Sequence, residues 1–266
     1  MENNSKTKIK ILFANGVTEK EYVKYLSVMY DVEVLDFSLE LSPGKIPSLI
    51  VFTGGADVDP VRYGQTKGKY THIDTLRDQQ EIQVYRRFAG AVPLLGICRG
   101  AQLLTVLNDG ALIQHTTGHS MSTHLIASND SNQITYTMVG DHHQMMYPFN
   151  LPSESYQILY YSSHFKSNTY LNGDNEETVL PANFVEPEIV YYPRTKSLCI
   201  QGHPEWMDSA HPTVHMTLRL VDDKLINRKL DTFRLPNFIS YDSLSPEESY
   251  DEDEEECVEE ENEEWL

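Results

Sequence analysis

At 266 residues with 40% hydrophobic side chains, the chain is long enough to bury a full core, and its length suits one large domain better than several small ones. The formal net charge of −19 is concentrated at one end: Tyr241 to Leu266 holds fourteen Asp/Glu and no Lys/Arg, leaving 26 acids against 21 bases elsewhere, about −5. With no Lys/Arg cluster to neutralise phosphates, nucleic acid is excluded as a partner, and with no apolar run approaching ~18 residues so is a membrane span.

The amino terminus, "MENNSKTKIKILFANG", is polar and passes straight into a strand-like segment. It lacks the apolar stretch of a signal peptide, so an intracellular, cytoplasmic location is expected. Cys98, Cys199 and Cys257 are widely spaced and odd in number, which argues against a disulfide framework or a zinc knuckle and suits a reducing compartment.

Taken in chain order, the first half alternates short apolar runs with segments of helical period, the pattern of an α/β fold whose mainly parallel sheet is covered by helices. "IKILFANG" reads as a strand and "TEKEYVKYLSVMY" as a helix capped by Thr18. "DVEVLDF" alternates like a second strand, and "SLIVFTGG" is a buried strand ending in a diglycine turn. "DTLRDQQEIQVYRRFAG" is a capped, charged helix closed by Gly90. The "VPLLGI" strand and "RGAQLLTVLN" helix follow. After Gly110 the short pieces "HLIAS", "QITYTMVG", "YQILYYSS" and "EIVYYP" predict a small antiparallel extension of the sheet, before "SLCIQGHPEW" returns to a buried strand and "TVHMTLRLVDDKLINRK" supplies a last amphipathic helix. Residues 1–239 are thus expected to form one folded domain and 240–266 a disordered acidic tail. The apolar tip of that tail, Trp265 and Leu266, suits docking as a peptide on a basic, grooved protein partner; Cys257 within it has no evident role.

Chemistry concentrates at "VPLLGICRGAQLL". A strand turning sharply into a helix exposes its corner residue and needs small neighbours there, and Gly96 and Gly100 flank Cys98 in that way. A helix N-terminus favours the thiolate, which is the attacking form. Alone this is a weak signal, because free cysteines are among the most buried residues. A second segment strengthens it. Of ten histidines, His203 alone ends a buried strand and is followed two residues later by an acid, in "QGHPEW". Strand ends face the ligand crevice of an open α/β sheet, and a carboxylate beside an imidazole fixes its tautomer and stabilises its charged form.

In this order, Cys98, His203 and Glu205 resemble the triad of a class I glutamine amidotransferase domain, whose pattern is a G-x-C-x-G-x-Q elbow followed far downstream by H-P-E. "TGGADVDPVRYG", "DTLRDQQE" and "DHHQ" at 141–144 narrow the likeness to the γ-glutamyl hydrolase branch, the peptidase C26 group that includes γ-glutamyl-γ-aminobutyrate hydrolases. The resemblance covers roughly residues 8–228. It implies a flavodoxin-like fold and cysteine-dependent hydrolysis of a γ-glutamyl amide through a γ-glutamyl thioester, releasing glutamate and ammonia or an amine, with no cofactor. It implies Cys98 as nucleophile, His203 as base, Glu205 as its orienter, and Gln102 with Gly54, His142 and His143 as substrate-binding residues. The oxyanion donors it implies are the amides of Gly55 and Arg99.

The sequence departs from the branch at Asp109, which precedes Gly110 where two glycines are common, and in the short, histidine-rich "IQHTTGHSMSTHLI". His115, His119, His124, His142 and His143 match no zinc spacing, so no metal is expected and these read as polar loop histidines, with His142 and His143 lining the pocket. Two rival folds fall away. A papain-type protease places its cysteine in a C-G-S-C-W setting, and an α/β-hydrolase has its acid before the histidine. Three functions stay open: a self-contained hydrolase of a small γ-glutamyl substrate, a glutaminase subunit passing ammonia to a separate ATP-dependent ligase or synthetase, and a catalytically inactive binding module.

Overall fold

The computed structural model describes residues 5–37 and 46–227, all within the first of the two units into which the chain divides, Met1–Lys229. The expected acidic tail at 240–266 and Cys257 lie outside the described residues.

The elements run β1 (Thr7–Phe13), α1 (Lys20–Ser27), β2 (Tyr30–Val34), β3 (Leu49–Phe52), α2 (Thr75–Phe88), β4 (Leu94–Ile97), α3 (Arg99–Leu107), β5 (Ala111–Ile113), β6 (His115–Thr116), β7 (Ser122–Ser128), β8 (Thr135–Gly140), β9 (Met145–Tyr147), β10 (Gln157–Ser162), β11 (Tyr170–Leu171), β12 (Pro187–Tyr192), β13 (Ser197–Ile200) and α4 (Pro212–Val221). Nine strands form the main sheet in the order β2-β1-β3-β4-β13-β12-β10-β7-β8. From β2 to β13 every pairing is parallel. From β13 outward to β8 every pairing is antiparallel, so the extension is four strands wide.

Alternation along the parallel strands supplies two apolar faces at once, as a sheet covered on both sides requires. Ile9, Ile11, Leu49, Val51, Leu95, Ile97, Leu198 and Ile200 pack with Tyr22, Tyr25 and Leu26 of α1 and Val214, Leu218 and Val221 of α4. Leu12, Ile50, Phe52, Leu94 and Cys199 face the other way, against Ile82, Val84 and Phe88 of α2 and Leu103, Leu104 and Val106 of α3. Cys199 is therefore a core thiol, and burial pushes its pKa far up.

α2 is capped as expected, Asp74 accepting from the Arg77 amide at 3.1 Å. α1 is not. Its boundary residue is Glu19, with no side-chain cap, because the Glu19 carboxylate instead accepts from Asn15 Nδ2 at 3.0 Å and Thr53 Oγ1 at 2.6 Å. Thr18 plays no capping part. At the end of α3, Asp109 has φ +67°, a left-handed conformation that glycine adopts without cost and Asp tolerates; this is where the family resemblance leads one to look for a glycine. Among the described residues, no helix is long and apolar enough to cross a membrane.

Candidate active site

Three neighbouring parallel strands, β3, β4 and β13, deliver the diglycine turn, Cys98 and His203 to one edge, the carboxyl end where an open α/β sheet places its ligand crevice. Cys98 follows β4 directly and has φ +52°, ψ −110°, a conformation that costs a non-glycine residue about 1–3 kcal/mol and clusters at functional sites. Its neighbours must be glycine for want of room. A Cβ at Gly96 would lie 2.6 Å from the Gly100 carbonyl, and one at Gly100 would lie 2.1 Å from Phe52 O. The elbow thus packs directly against the end of β3. Cys98 is 7% exposed, its amide donates to Ile200 O at 2.8 Å, and its thiol lies 3.9 Å from Asp141 O.

His203 Nδ1 meets Glu205 Oε1 at 2.7 Å. A carboxylate accepts, so Nδ1 carries the proton and Nε2, which has no other hydrogen-bond partner, is the nitrogen left for chemistry. Burial pulls the His203 pKa down, but the neighbouring Cys98 and Glu205 outweigh it and raise the value to about 10. The imidazole also stacks on Trp206, centroids 3.6 Å apart and planes 2° from parallel, an arrangement that fixes the ring and favours its cationic form. Sequence reasoning passed over Trp206, though it ends the quoted "QGHPEW"; an aromatic one residue after the acid was the available signal.

A raised folded pKa carries a definite sign. Below the ordinary value of 6.5 the group is protonated folded or unfolded, and its contribution to stability is fully present; as pH climbs through about 10 that contribution is lost. Unfolding free energy, measured by urea titration at stepped pH, is expected to fall between about pH 6.5 and 10 more steeply in the wild type than in Glu205→Gln. Parallel profiles would show that Glu205 does not hold the proton on His203.

The diglycine turn is braced from two sides. Gly54 N donates to Tyr22 Oη at 2.9 Å, a residue of α1 that sequence reasoning missed. Arg77 of α2 donates through Nη2 to Thr53 O at 3.1 Å and Oγ1 at 2.9 Å. Gly55 has φ +147°, which L side chains rarely adopt, and a Cβ there would also have to displace the Arg77 guanidinium, 2.1 Å away at Nη1. Among the described residues, neither the Gly55 nor the Arg99 amide donates to another backbone carbonyl.

The Arg99 side chain turns away from the crevice into the interior, 1% exposed. It bonds Asp78 and Glu81 of α2, both buried. Arg62 reaches the same Asp78 at 3.1 Å and Arg77 the same Glu81 at 3.0 Å. The charged segment "RDQQE" is therefore not a solvated helix face: it ties both braced backbone segments, through Arg77 and Arg99, to one carboxylate.

The remaining predicted residues divide. Gln102 is buried and donates through Nε2 to Gln144 O at 3.0 Å. The same carbonyl meets His142 Nδ1 at 2.8 Å; a carbonyl accepts, so Nδ1 is protonated and the buried Nε2 is left bare. Burial, and then the neighbouring histidines, hold the His142 pKa well below the usual value. His143 instead points at Asp57, Nε2 to Oδ2 3.1 Å. His119, His124 and His142 are 0%, 7% and 6% exposed, which corrects their reading as polar loop histidines. Partners distant in sequence, Glu186 and Glu188 on or beside β12, lie against the first two, and the Gln144 carbonyl against the third. Among the described residues, the set able to hold a metal ion is His119, His124 and Glu188.

The fold is that of a class I glutamine amidotransferase domain. A protein of Thermoplasma acidophilum described as a "putative GMP synthase" subunit shares it with a TM-score of 0.51 at 15% identity, over 79% of this chain and 90% of that one. The profile of the family described as peptidase C26 matches residues 45–205, and the chain belongs to that family. Among relatives, a "putative glutamine amidotransferase-like protein" of Lactococcus lactis is 45% identical over 67 residues, 24% of this chain and 28% of that protein. A "putative glutamine amidotransferase" of Mycobacterium tuberculosis is 43% identical over 76 residues, 27% of this chain and 25% of that protein. The chain therefore spans about a quarter of the length of these relatives.

Proposed function

We propose that the protein is a self-contained hydrolase of small γ-glutamyl amides, working through a thioester on Cys98. The observation that carries this reading is the convergence, at the ends of β4 and β13, of a cysteine in strained left-handed backbone with a histidine whose Nδ1 is held by Glu205 and whose Nε2 is free.

In this reading the Cys98 thiol passes its proton to His203 Nε2 as Sγ attacks the γ-carbonyl carbon, and the carbonyl oxygen, gaining charge, is met by the amides of Gly55 and Arg99. One such donor is commonly worth about 3–4 kcal/mol of barrier. As the C–N bond breaks, His203 gives that proton to the leaving nitrogen; it then takes one from the water that attacks the thioester and returns it to Sγ as the C–S bond breaks, releasing glutamate with the thiol restored. Glu205 and Trp206 keep the imidazole aligned through both transfers. Gln102 and His142, joined through the Gln144 carbonyl, support one wall of the pocket, to which Gly54 and His143 also belong.

The test is alkylation by a glutamine-like electrophile, with the adduct mapped by mass spectrometry, beside assays of glutamate release from glutamine and γ-glutamyl amides. A single adduct on Cys98 and release by the protein alone are expected. Labelling at Cys199, whose thiol burial keeps protonated, or release only when a ligase is added, would overturn the reading; the second result would indicate an ammonia-donating subunit.

A further inference from the structure

Where β7 and β12 carry His124 and Glu188 lies a cluster that the proposed reaction does not use. His119, His124, Glu186 and Glu188 are 0%, 7%, 1% and 0% exposed. Buried carboxylates are stable only when paired, hydrogen-bonded or bound to a cation, and the two here are served unequally. Glu186 is well served: Oε2 accepts from the Lys166 amide and Oε1 from the Ser167 amide and Tyr170 Oη, each at 2.8 Å. Glu188 has only His124, Nε2 to Oε1 2.7 Å, and its Oε2 has no partner.

His119 is the more telling member. Neither ring nitrogen makes a hydrogen bond, yet Nε2 lies 3.3 Å from Glu186 Oε2 and Nδ1 lies 3.7 Å from Glu188 Oε1. A metal-ligating histidine characteristically presents one nitrogen to the ion and the other to an orienting carboxylate. His119 has that disposition, Glu186 being the orienter and Glu188 the neighbour across the gap. Ligand atoms of His119, His124 and Glu188 lie within 4.8 Å of one another. Zinc bonds of about 2.0–2.2 Å in tetrahedral array put ligand atoms about 3.3 Å apart, and the separations of 2.7 and 3.7 Å from Glu188 Oε1 bracket that value.

We propose that His119, His124 and Glu188 form a buried site for a divalent cation of the zinc class, with Glu186 orienting His119. Two imidazoles and a carboxylate are the donors that borderline cations select. Spacing along the chain could not reveal the site, because His124 and Glu188 are 64 residues apart. A cation here would join the 117–121 loop and β7 to β12, fastening the antiparallel extension.

The full chain, purified without a metal-affinity tag, is loaded with Zn²⁺, dialysed against metal-free buffer and analysed for metal; Co²⁺ loading reads the coordination through its visible absorption. Wild type and Cys98→Ala are expected to retain about one equivalent and to show the intense bands of a four-coordinate site. His119→Gln and Glu188→Gln, checked for folding by circular dichroism, are expected to lose both. Should those variants unfold, the zinc-loaded wild type is still expected to melt higher than the chelated protein. No retained metal and no melting shift would overturn the proposal and leave a hydrogen-bonded cluster of imidazoles and carboxylates. Equal retention in Glu188→Gln, as the acidic tail alone would give, or loss in Cys98→Ala, as a thiolate-bound ion would give, overturns it equally.

Discussion

Alanine at position 98 is expected to abolish glutamate release while leaving the protein folded and able to bind its substrate. In a nucleophile–base pair that works as a unit, removing the nucleophile costs on the order of 10⁶ in kcat, and Cys98→Ala should approach that figure with little change in substrate affinity. His203→Ala should cost nearly as much, and the double variant no more than either single one, since both remove the same step. Glutamate release by Cys98→Ala at wild-type rates would end the thioester mechanism. The backbone offers an independent reading. Alanine keeps the cost of φ +52°, whereas glycine relieves it, so Cys98→Gly should be inactive yet more stable than Cys98→Ala, by about 1 kcal/mol or more on urea denaturation. A less stable Cys98→Gly would mean that the elbow stores no strain.

What the sequence made legible was what is local. The unbroken apolar runs Leu49–Phe52 and Leu94–Ile97 announce strands buried on both faces, and Gly96 with Gly100 marks an elbow because only glycine survives the approach of the Gly100 carbonyl at the first and of Phe52 O at the second. The histidine at the end of β13 was legible because its acid lies two residues away. What stayed hidden depends on partners far along the chain. Asp78 and Glu81 read only as charges on a capped helix until Arg99, 21 and 18 residues on, arrives to bury them. His119 and His124 read as loop residues until β12 brings two carboxylates beneath them. Thr18 satisfied the rule for a cap, but Glu19 took the boundary because Asn15 and Thr53, the latter 34 residues away, compete for its carboxylate. Hydrophobic period and cap preference describe a residue's neighbours in sequence; an ion pair closed by tertiary structure has no period.

That difference predicts where the protein is most fragile. Arg99→Met is expected to lower the unfolding free energy by about 3–5 kcal/mol, the usual consequence of removing one partner from a buried ion pair. Arg62 and Arg77 still reach Asp78 and Glu81, but from partly exposed positions, and neither can occupy the fully buried space between the two carboxylates. The loss should depend little on salt, because screening acts weakly on pairs out of contact with solvent. Methionine approximates the volume of the aliphatic stem, so a cavity contributes little and the measured loss reports unpaired charge. Adding Asp78→Asn and Glu81→Gln to Arg99→Met removes that charge, and the triple variant should recover a good part of the stability in urea melts even though it has fewer interactions. Its activity should not recover with it. Without Glu81 as a carboxylate, the Arg77 guanidinium beside Gly55 loses its anchor, and the two amides proposed to receive the oxyanion are no longer tied to a common point. A triple variant as unstable as Arg99→Met would show that the arginine stabilises α2 by packing, and not by the charge it neutralises.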